Sequence, residues 1–255
     1  MSRGSDFFSV MVVGDNLTEL MSKYEIGIEV EPYVKYKYKD AEKMRNNAIK
    51  LLNGIIKDQE KLGLNPLHID SLKERLRELK SLTGFEYYKN LVEGYYIDSD
   101  GNAISSENPN GKWQTSKIGN NFSLPLILKD GTTSKQALCK DIDWDAMHMV
   151  NTITYETVWD LVVEGKEAVT EQEKVLFENM KNQKKYFSRF KNKDEYVIHN
   201  CAYWNYAFLS EEGWVDLDDA KSDMVWISEF FDKFITNLNP NDKVTIFECT
   251  RGKID

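Results

Sequence analysis

The chain has 255 residues, and its 33 lysines and arginines stand against 42 aspartates and glutamates, which gives a formal net charge of −9. This acidic balance argues against a general DNA-coating protein. No apolar run approaches the roughly 18 residues that a membrane span needs. Three cysteines are too few for a disulfide framework, so we expect free thiols in a reducing intracellular compartment.

The N-terminal section begins with an apolar run. Residues 7–13 predict a buried strand that ends at the turn residues 14–16, and a short helix is plausible from Leu17 to Tyr24. Tyrosines and lysines then alternate strictly from Tyr33 to Lys39. In a strand, this alternation places the lysines on one face and the apolar and aromatic residues on the other.

A helical section follows, and we predict it to be an insertion over about residues 40–92. Apolar residues recur at helical spacing from Met44 to Ile56, and Asn65-Pro66 breaks the pattern. Ser71 with Glu74 resembles a capping box that starts the next helix. A short helix is expected from Phe85 to Val92.

The middle, over about residues 95–139, is rich in turn signals. Residues 98–101 read Asp-Ser-Asp-Gly between two short apolar segments, which predicts a β-hairpin. Residues 108–111 form a predicted loop. Residues 113–118 and 123–128 are expected to be further strands.

The C-terminal section, residues 143–255, is predicted to contain helices and strands. Asp143 starts a helix that runs to Leu161, and Thr170 with Glu173 starts another that runs to Phe190. An aromatic strand over 201–209, an amphipathic helix over 224–238 and a buried strand over 244–249 complete the chain. Strands near both chain ends predict one α+β domain over residues 1–255, with a mixed or antiparallel sheet in which the terminal strands pair.

Catalytic and metal signals are weak. His199 lies two residues from Cys201, which in a strand would place both on one face, but no partner carboxylate or oxyanion motif accompanies them. The acids at 141, 143 and 145 imitate a calcium loop without its glycine, and N-capping by Asp143 explains them more simply. No glycine-rich phosphate loop is complete. We therefore predict no catalytic residue, no metal and no cofactor.

Basic residues mixed with aromatic ones are the stronger signal. Residues 181–193 contain six cations, no acid and three aromatic rings, and the Tyr33–Lys39 alternation has a similar character. Such segments attract phosphates, and their rings can stack on a base. The alternative is that they are a solvated helix face and a half-buried strand. Trp113, beside a turn, could likewise line a pocket or fill the core.

Three segments together resemble a family of bacteriophage proteins of uncharacterised function. Residues 6–14 match a first strand of the type Ser-His-Phe-Thr-Val-Leu-Val-Ile-Gly. Residues 108–122 match a middle motif with Asn-Pro-Asn, Lys-Trp and Ile-Gly, followed by Asp-Ile-Asp-Trp at 141–144. Residues 245–250 match a last strand of the type Val-Val-Asp-Cys-His. The order and approximate spacing agree over most of the chain.

The chain departs from this family at polar positions. Phe7 replaces the first-strand histidine, residues 114–116 replace Asp-Trp-Tyr, residues 120–122 replace Gly-Arg-Trp, and Thr250 replaces the last histidine. These lost groups are the kind that a catalytic or phosphate-binding site uses. If the family is enzymatic, the resemblance therefore implies that this member is not; equally, this member can have changed the ligand of the family's pocket.

We accordingly expect a phage-encoded, non-catalytic binder in the host cytoplasm, which sequesters a nucleotide-type signal of host defence. Two tryptophans would stack on the ligand, the cations would bind phosphate and the asparagines would make polar contacts. The candidate ligand-binding residues are Lys112, Trp113, Lys117, Asn120, Asn121, Arg189, Trp204 and Arg251.

Two alternatives remain open. The protein could inhibit a host defence protein through an exposed surface, with the acids between 211 and 223 imitating nucleic acid. It could also be a nucleotide phosphodiesterase or hydrolase that uses His199, although one histidine is thin support for acid–base chemistry. Homo-oligomerisation is left open.

Overall fold

The computed structural model describes residues 7–61, 66–119, 123–149 and 151–251. The chain divides into two compact units, unit 1 (Met1–Gly27 with Pro109–Asp255) and unit 2 (Ile28–Asn108). The helical insertion predicted at about 40–92 lies inside unit 2. About 47% of the structure is helix and 23% is strand, so the α+β prediction is confirmed.

The helices and strands are numbered in chain order. The strands are β1 (Phe7–Val13), β2 (Glu29–Tyr36), β3 (Tyr96–Ile97), β4 (Ala103–Glu107), β5 (Thr115–Ile118), β6 (Leu126–Ile127), β7 (Thr133–Ser134), β8 (Gln136–Leu138), β9 (Ala207–Ser210), β10 (Gly213–Asp216) and β11 (Lys243–Thr250). The helices are α1 (Leu17–Ser22), α2 (Ala41–Lys61), α3 (Pro66–Ser81), α4 (Gly84–Leu91), α5 (Trp144–His148), α6 (Thr152–Val162), α7 (Glu171–Met180), α8 (Lys184–Phe187), α9 (Lys193–Cys201) and α10 (Asp223–Phe230).

Unit 1 is built on a mixed sheet of six strands within the described residues. Strand β1 pairs antiparallel with β11 along its whole length, from Phe7 opposite Thr250 to Val13 opposite Val244. On its other side β1 pairs in parallel with β9, and β10 forms a hairpin with β9. The predicted pairing of the first and last strands is thus confirmed.

Both faces of this sheet are buried, which explains the continuous apolar character of β1. Met11 and Val13 face one hydrophobic cluster together with Phe230 of α10. Val10 and Val12, which point the opposite way, face a second cluster that includes Trp113 and residues of α1. The alternation of side chains along the strand therefore divides the core of unit 1 into two layers.

The outer edge of β11 is shared by two short strands. Strand β8 covers its first part and β5 covers its last part. Between them, the Gly119 amide donates to the Ile246 carbonyl, and the Ile246 amide donates to the Lys135 carbonyl. Gly119 has a φ of +68°, and a Cβ there would lie 2.9 Å from the Lys135 side chain. This junction places Gly119, which follows β5, beside Lys135, which precedes β8.

Several predicted elements differ from the observed ones. Residues 143–162 form two helices, because Asn151 adopts a left-handed conformation (φ 61°) between α5 and α6. The predicted helix over 170–190 ends at Met180, and α8 is a separate short helix. Residues 201–206 are not a strand; Cys201 ends helix α9, and the strand begins only at Ala207. Strand β10 was not predicted.

Unit 2 combines a three-stranded antiparallel sheet, ordered β2-β4-β3, with helices α2, α3 and α4. The predicted hairpin is confirmed, since β3 pairs with β4 across the turn at residues 98–101. Helix α3 begins at Pro66, so the proposed cap at Ser71 was wrong. Proline suits a first helical position because it lacks an amide hydrogen that would go unbonded there.

The N-terminus of helix α4 is stabilised by a capping box. Thr83 Oγ1 accepts from the Glu86 amide at 3.2 Å, and the Glu86 carboxylate accepts from the Thr83 amide at 2.8 Å. Tyr88 of α4 is buried with Ala41 and Ala103, which joins this helix to α2 and to the sheet of unit 2. Across the residues that the structure describes, no helix is both long and apolar enough to cross a membrane.

Candidate functional site

Trp113 lies in the core of unit 1. Its side chain is only 7% exposed, and its indole nitrogen donates to the Met21 carbonyl at 3.2 Å. The backbone on both sides of it bonds residues 24–26, because Lys112 N–H donates to Tyr24 O and Ile26 N–H donates to Trp113 O. The ring thus anchors the start of β5 to the turn after α1, and no open face is available for a stacked base.

Lys112 neutralises a buried carboxylate. Its Nζ lies 3.0 Å from Asp216 Oδ2, and Asp216 is only 1% exposed. The same oxygen accepts from the Trp214 indole at 2.8 Å, and the other carboxylate oxygen accepts from the Asp218 amide at 3.1 Å. Three donors therefore compensate for the burial of this carboxylate.

Arg251 is held by two rings and a carboxylate. Its guanidinium carbon lies 4.8 Å from the Tyr206 ring centroid and 5.4 Å from that of Phe8. The guanidinium donates to Asp218 at 3.0 Å and also to the Tyr206 hydroxyl. The structure thus brings Lys112, Trp113 and Arg251 into one internally neutralised cluster, in which each cation already has a carboxylate partner.

The other predicted ligand residues have different surroundings. Trp204 is half-buried against the hydrophobic cluster that includes Phe230. Arg189 is exposed and lies 6.0 Å from the Tyr186 ring. Lys117 is exposed on β5, opposite Glu248 in the register. Asn120 and Asn121 fall outside the described residues.

The histidine and metal alternatives receive no geometric support. His199 and Cys201 belong to helix α9, where residues two apart lie about 200° apart around the axis, so they do not share a face. Burial lowers the pKa of His199. Asp143 caps α5 as expected, accepting from the Ala146 amide at 3.0 Å. Over the described ranges, no three His, Cys, Asp or Glu side chains form a group that could hold a metal.

A groove in unit 2 offers a different candidate site. It has a volume of about 280 Å³ and lies between the end of β2 and the first two turns of α2. Helix α2 contributes positions 43, 44 and 47, which share one face of the helix, and Asp40 lies immediately before it. The lining residues are Val34, Lys35, Tyr36, Lys37, Asp40, Lys43, Met44 and Asn47.

Lys35 shapes this groove and is already paired. The register of β2 with β4 shifts between Val34 and Tyr36, and this β-bulge interrupts the expected Tyr/Lys alternation. Lys35 Nζ donates to the Tyr95 hydroxyl at 2.6 Å and to the Glu107 carboxylate. Burial opposes the charge of Lys35, but these two hydrogen bonds raise its pKa, so it stays protonated.

Lys37 and Lys43 carry uncompensated charge. Both are exposed, and neither has a carboxylate within 4 Å among the residues placed by the structure. Asp40 is the one acid in the lining, against three lysines. The groove is therefore positive although the whole chain is acidic. The Tyr33–Lys39 alternation indicated the β2 side of this groove. The apolar spacing that predicts α2 does not indicate its polar residues Lys43 and Asn47.

No protein-family model, curated protein or solved structure matches the chain. The resemblance to phage proteins therefore stays a prediction, and the choice between the two sites depends on the geometry just described. The cluster around Arg251 contains balanced charges and buried rings. The groove in unit 2 combines a concave shape with two lysines, Lys37 and Lys43, that have no acidic partner among the described residues, which is what an anionic ligand requires.

Proposed function

We propose that the protein binds a small phosphorylated ligand of the nucleotide type in the groove of unit 2 and leaves it chemically unchanged. The observation that carries this proposal is the pair of exposed lysines, Lys37 and Lys43, which line one concave site without acidic partners. The cluster around Arg251 then has a structural role.

The lining suggests how such a ligand is held. Lys37 and Lys43 donate to phosphate oxygens, and charge-assisted bonds of this kind are the stronger ones in proteins. Asp40 accepts a hydrogen bond from a hydroxyl or amino group of the ligand, and Asn47 can both donate and accept. The groove volume of about 280 Å³ lies just below the roughly 300–1,000 Å³ typical of small-molecule pockets, so we propose a ligand no larger than one phosphorylated nucleoside.

Sequestration in a phage-infected cell is the biological setting of this proposal, and it rests on the sequence resemblance. The protein would lower the concentration of a nucleotide signal by binding it in the host cytoplasm. This role requires affinity and abundance but no turnover. Mass spectrometry of small molecules released by heating the protein, purified from infected cells, would identify the ligand. An empty protein that co-purifies with one host protein would favour surface inhibition instead.

Calorimetric titration with adenosine 5′-monophosphate tests the binding site directly. Inorganic phosphate and adenosine are titrated in parallel to separate the phosphate contribution from that of the nucleoside. We expect Lys37→Ala with Lys43→Ala to weaken binding at least tenfold. The matched control is Lys39→Ala with Lys50→Ala, two exposed lysines that do not line the groove. Equal losses in both double variants, or no binding of any probe, would overturn the proposal.

A further inference from the structure

A serine and a lysine meet where β11 passes from one edge partner to the other. Lys135 Nζ lies 2.8 Å from the Ser123 hydroxyl oxygen and 2.5 Å from the Ser123 carbonyl oxygen. They are twelve residues apart, on either side of the β6–β7 hairpin. Both side chains are half-buried. No histidine takes part in this contact, so a sequence pattern that requires a Ser–His or Cys–His pair does not indicate it.

A buried carboxylate fixes the position of this serine. Glu248 of β11 is 4% exposed, and its Oε1 accepts from the Ser123 amide at 2.8 Å. The backbone of Lys135 is fixed as well, since its carbonyl accepts from the Ile246 amide at 2.8 Å. The backbones of both residues are therefore held by contacts with strand β11, and the Lys135 side chain spans the remaining distance to Ser123.

We propose that Ser123 and Lys135 form a serine–lysine dyad that reacts with small apolar acyl esters. A nucleophile needs a base within hydrogen-bond reach, and the 2.8 Å separation meets that condition. In the protonated form Lys135 Nζ donates to both Ser123 oxygens; in the neutral form it would keep the bond to the carbonyl, and its lone pair would accept the hydroxyl proton. Leu124, which follows Ser123 in the chain, is apolar and 60% exposed, and we expect it to favour an apolar acyl group.

The charge state of Lys135 supports this assignment. Burial lowers the pKa of Lys135, although the nearby charge of Glu248 acts in the opposite direction. A lowered lysine pKa increases the fraction of neutral amine at a given pH, which is what a general base requires. Glu248 acts through Ser123 and is a positioning residue.

The reaction proceeds in two balanced steps. As Ser123 Oγ bonds to the ester carbonyl carbon, Lys135 takes the hydroxyl proton. The bond from that carbon to the alcohol oxygen then breaks, and Lys135 returns the proton to the departing alcohol. A water molecule attacks the acyl-serine next, gives a proton to Lys135, and releases the carboxylic acid while Ser123 recovers its hydroxyl proton from Lys135.

A fluorophosphonate probe tests the dyad with the full-length protein. Ser123 Oγ would form a bond to phosphorus, fluoride would leave, and Lys135 would take the hydroxyl proton. We expect one adduct by intact mass, mapped to Ser123 by peptide analysis. Ser123→Ala should abolish it. Ser134→Ala is the matched control, because Ser134 donates to the Gln136 carbonyl and pairs with no lysine in the described ranges. This variant should label as the wild type does.

The role of Lys135 needs its own variant. Lys135→Arg keeps hydrogen-bond donors at this position but stays protonated and cannot accept the proton, so we expect labelling to slow at least 100-fold while folding is retained. Labelling of this variant at the wild-type rate, or an adduct elsewhere, would overturn the dyad. If Lys135→Arg does not fold, the labelling rate of the wild-type protein is measured as a function of pH. With a lysine base, this rate rises with pH and reaches a plateau before pH 10.5. A rate that keeps rising with hydroxide concentration would contradict the dyad. These results are independent of the groove, which lies in unit 2.

Discussion

Removing the buried carboxylate of Asp216 should destabilise unit 1 far more than removing its lysine partner. Asp216 is 1% exposed and receives hydrogen bonds from Lys112, Trp214 and the Asp218 amide. Hydrogen bonds to charged groups contribute about 1.5–3 kcal/mol each. The Lys112 side chain is 36% exposed and can be rehydrated, so its bond counts for less. We therefore expect Asp216→Ala to cost about 3–4 kcal/mol.

Lys112→Met should cost only about 1–2 kcal/mol, since the carboxylate keeps the two remaining donors. A matched control is Lys174→Met, which removes an ion pair with Glu171 in which both side chains are more than half exposed. Such surface pairs contribute about a few tenths of a kcal/mol, so this variant should unfold at nearly the same urea concentration as the wild type. We therefore predict that Asp216→Ala lowers the free energy of unfolding most, Lys112→Met less, and Lys174→Met least.

Urea unfolding followed by tryptophan fluorescence gives a signal specific to unit 1, because all six tryptophans lie in residues 109–255. Far-UV circular dichroism reports both units, and a separate transition there would show whether unit 2 unfolds independently. A cost below about 1 kcal/mol for Asp216→Ala would refute this reasoning. An equal loss in Lys112→Met would show that the lysine, and not the neutral donors, compensates for the buried charge.

Three further predictions concern the core of unit 1. Burial raises the pKa of Cys249 to about 12, so this thiol should not react with a disulfide reagent at pH 8 until urea unfolds the protein. Burial lowers the pKa of His199, so this side chain binds a proton more tightly in the unfolded state than in the folded state. The free energy of unfolding should therefore fall as the pH drops through 6.5, and it should fall less steeply in His199→Leu. Urea midpoints measured at several pH values test this. Phe230→Ala should cost about 3–5 kcal/mol, because the ring is fully buried, whereas Phe7→Ala, at 58% exposure, should shift the urea midpoint little.

Much of the fold could be read from local patterns. The apolar run of β1, the capping box at Thr170 and the turn at residues 98–101 are signals that neighbouring residues carry, and the structure has each of them. The predicted strand over 201–209 is confirmed only from Ala207, because the aromatic residues before it suit a helix end and a buried loop equally well. Tertiary contacts decided between them, as the 2.8 Å bond from the Trp226 indole to the Asn205 carbonyl illustrates.

The candidate sites were less accessible to prediction. Lys112, Trp113 and Arg251 do come together, but the sequence could not tell that Asp216 and Asp218 would neutralise the two cations. The contact of Ser123 with Lys135 depends on how β5 and β8 divide the edge of β11, and no local pattern encodes that division. Long-range pairing sets both arrangements.

The pairing of β1 with β11 has a consequence for synthesis of the chain. About 230 residues separate the end of β1 from the start of β11. At about 5–20 residues per second, a ribosome needs roughly 10–50 s to make them. For most of that interval the apolar strand β1 lacks both of its sheet partners, since β9 is also made late, whereas residues 28–108 of unit 2 are contiguous and can fold as soon as they emerge. Unit 2 should therefore reach its native structure first, and β1 should depend on chaperones until the last strand is made.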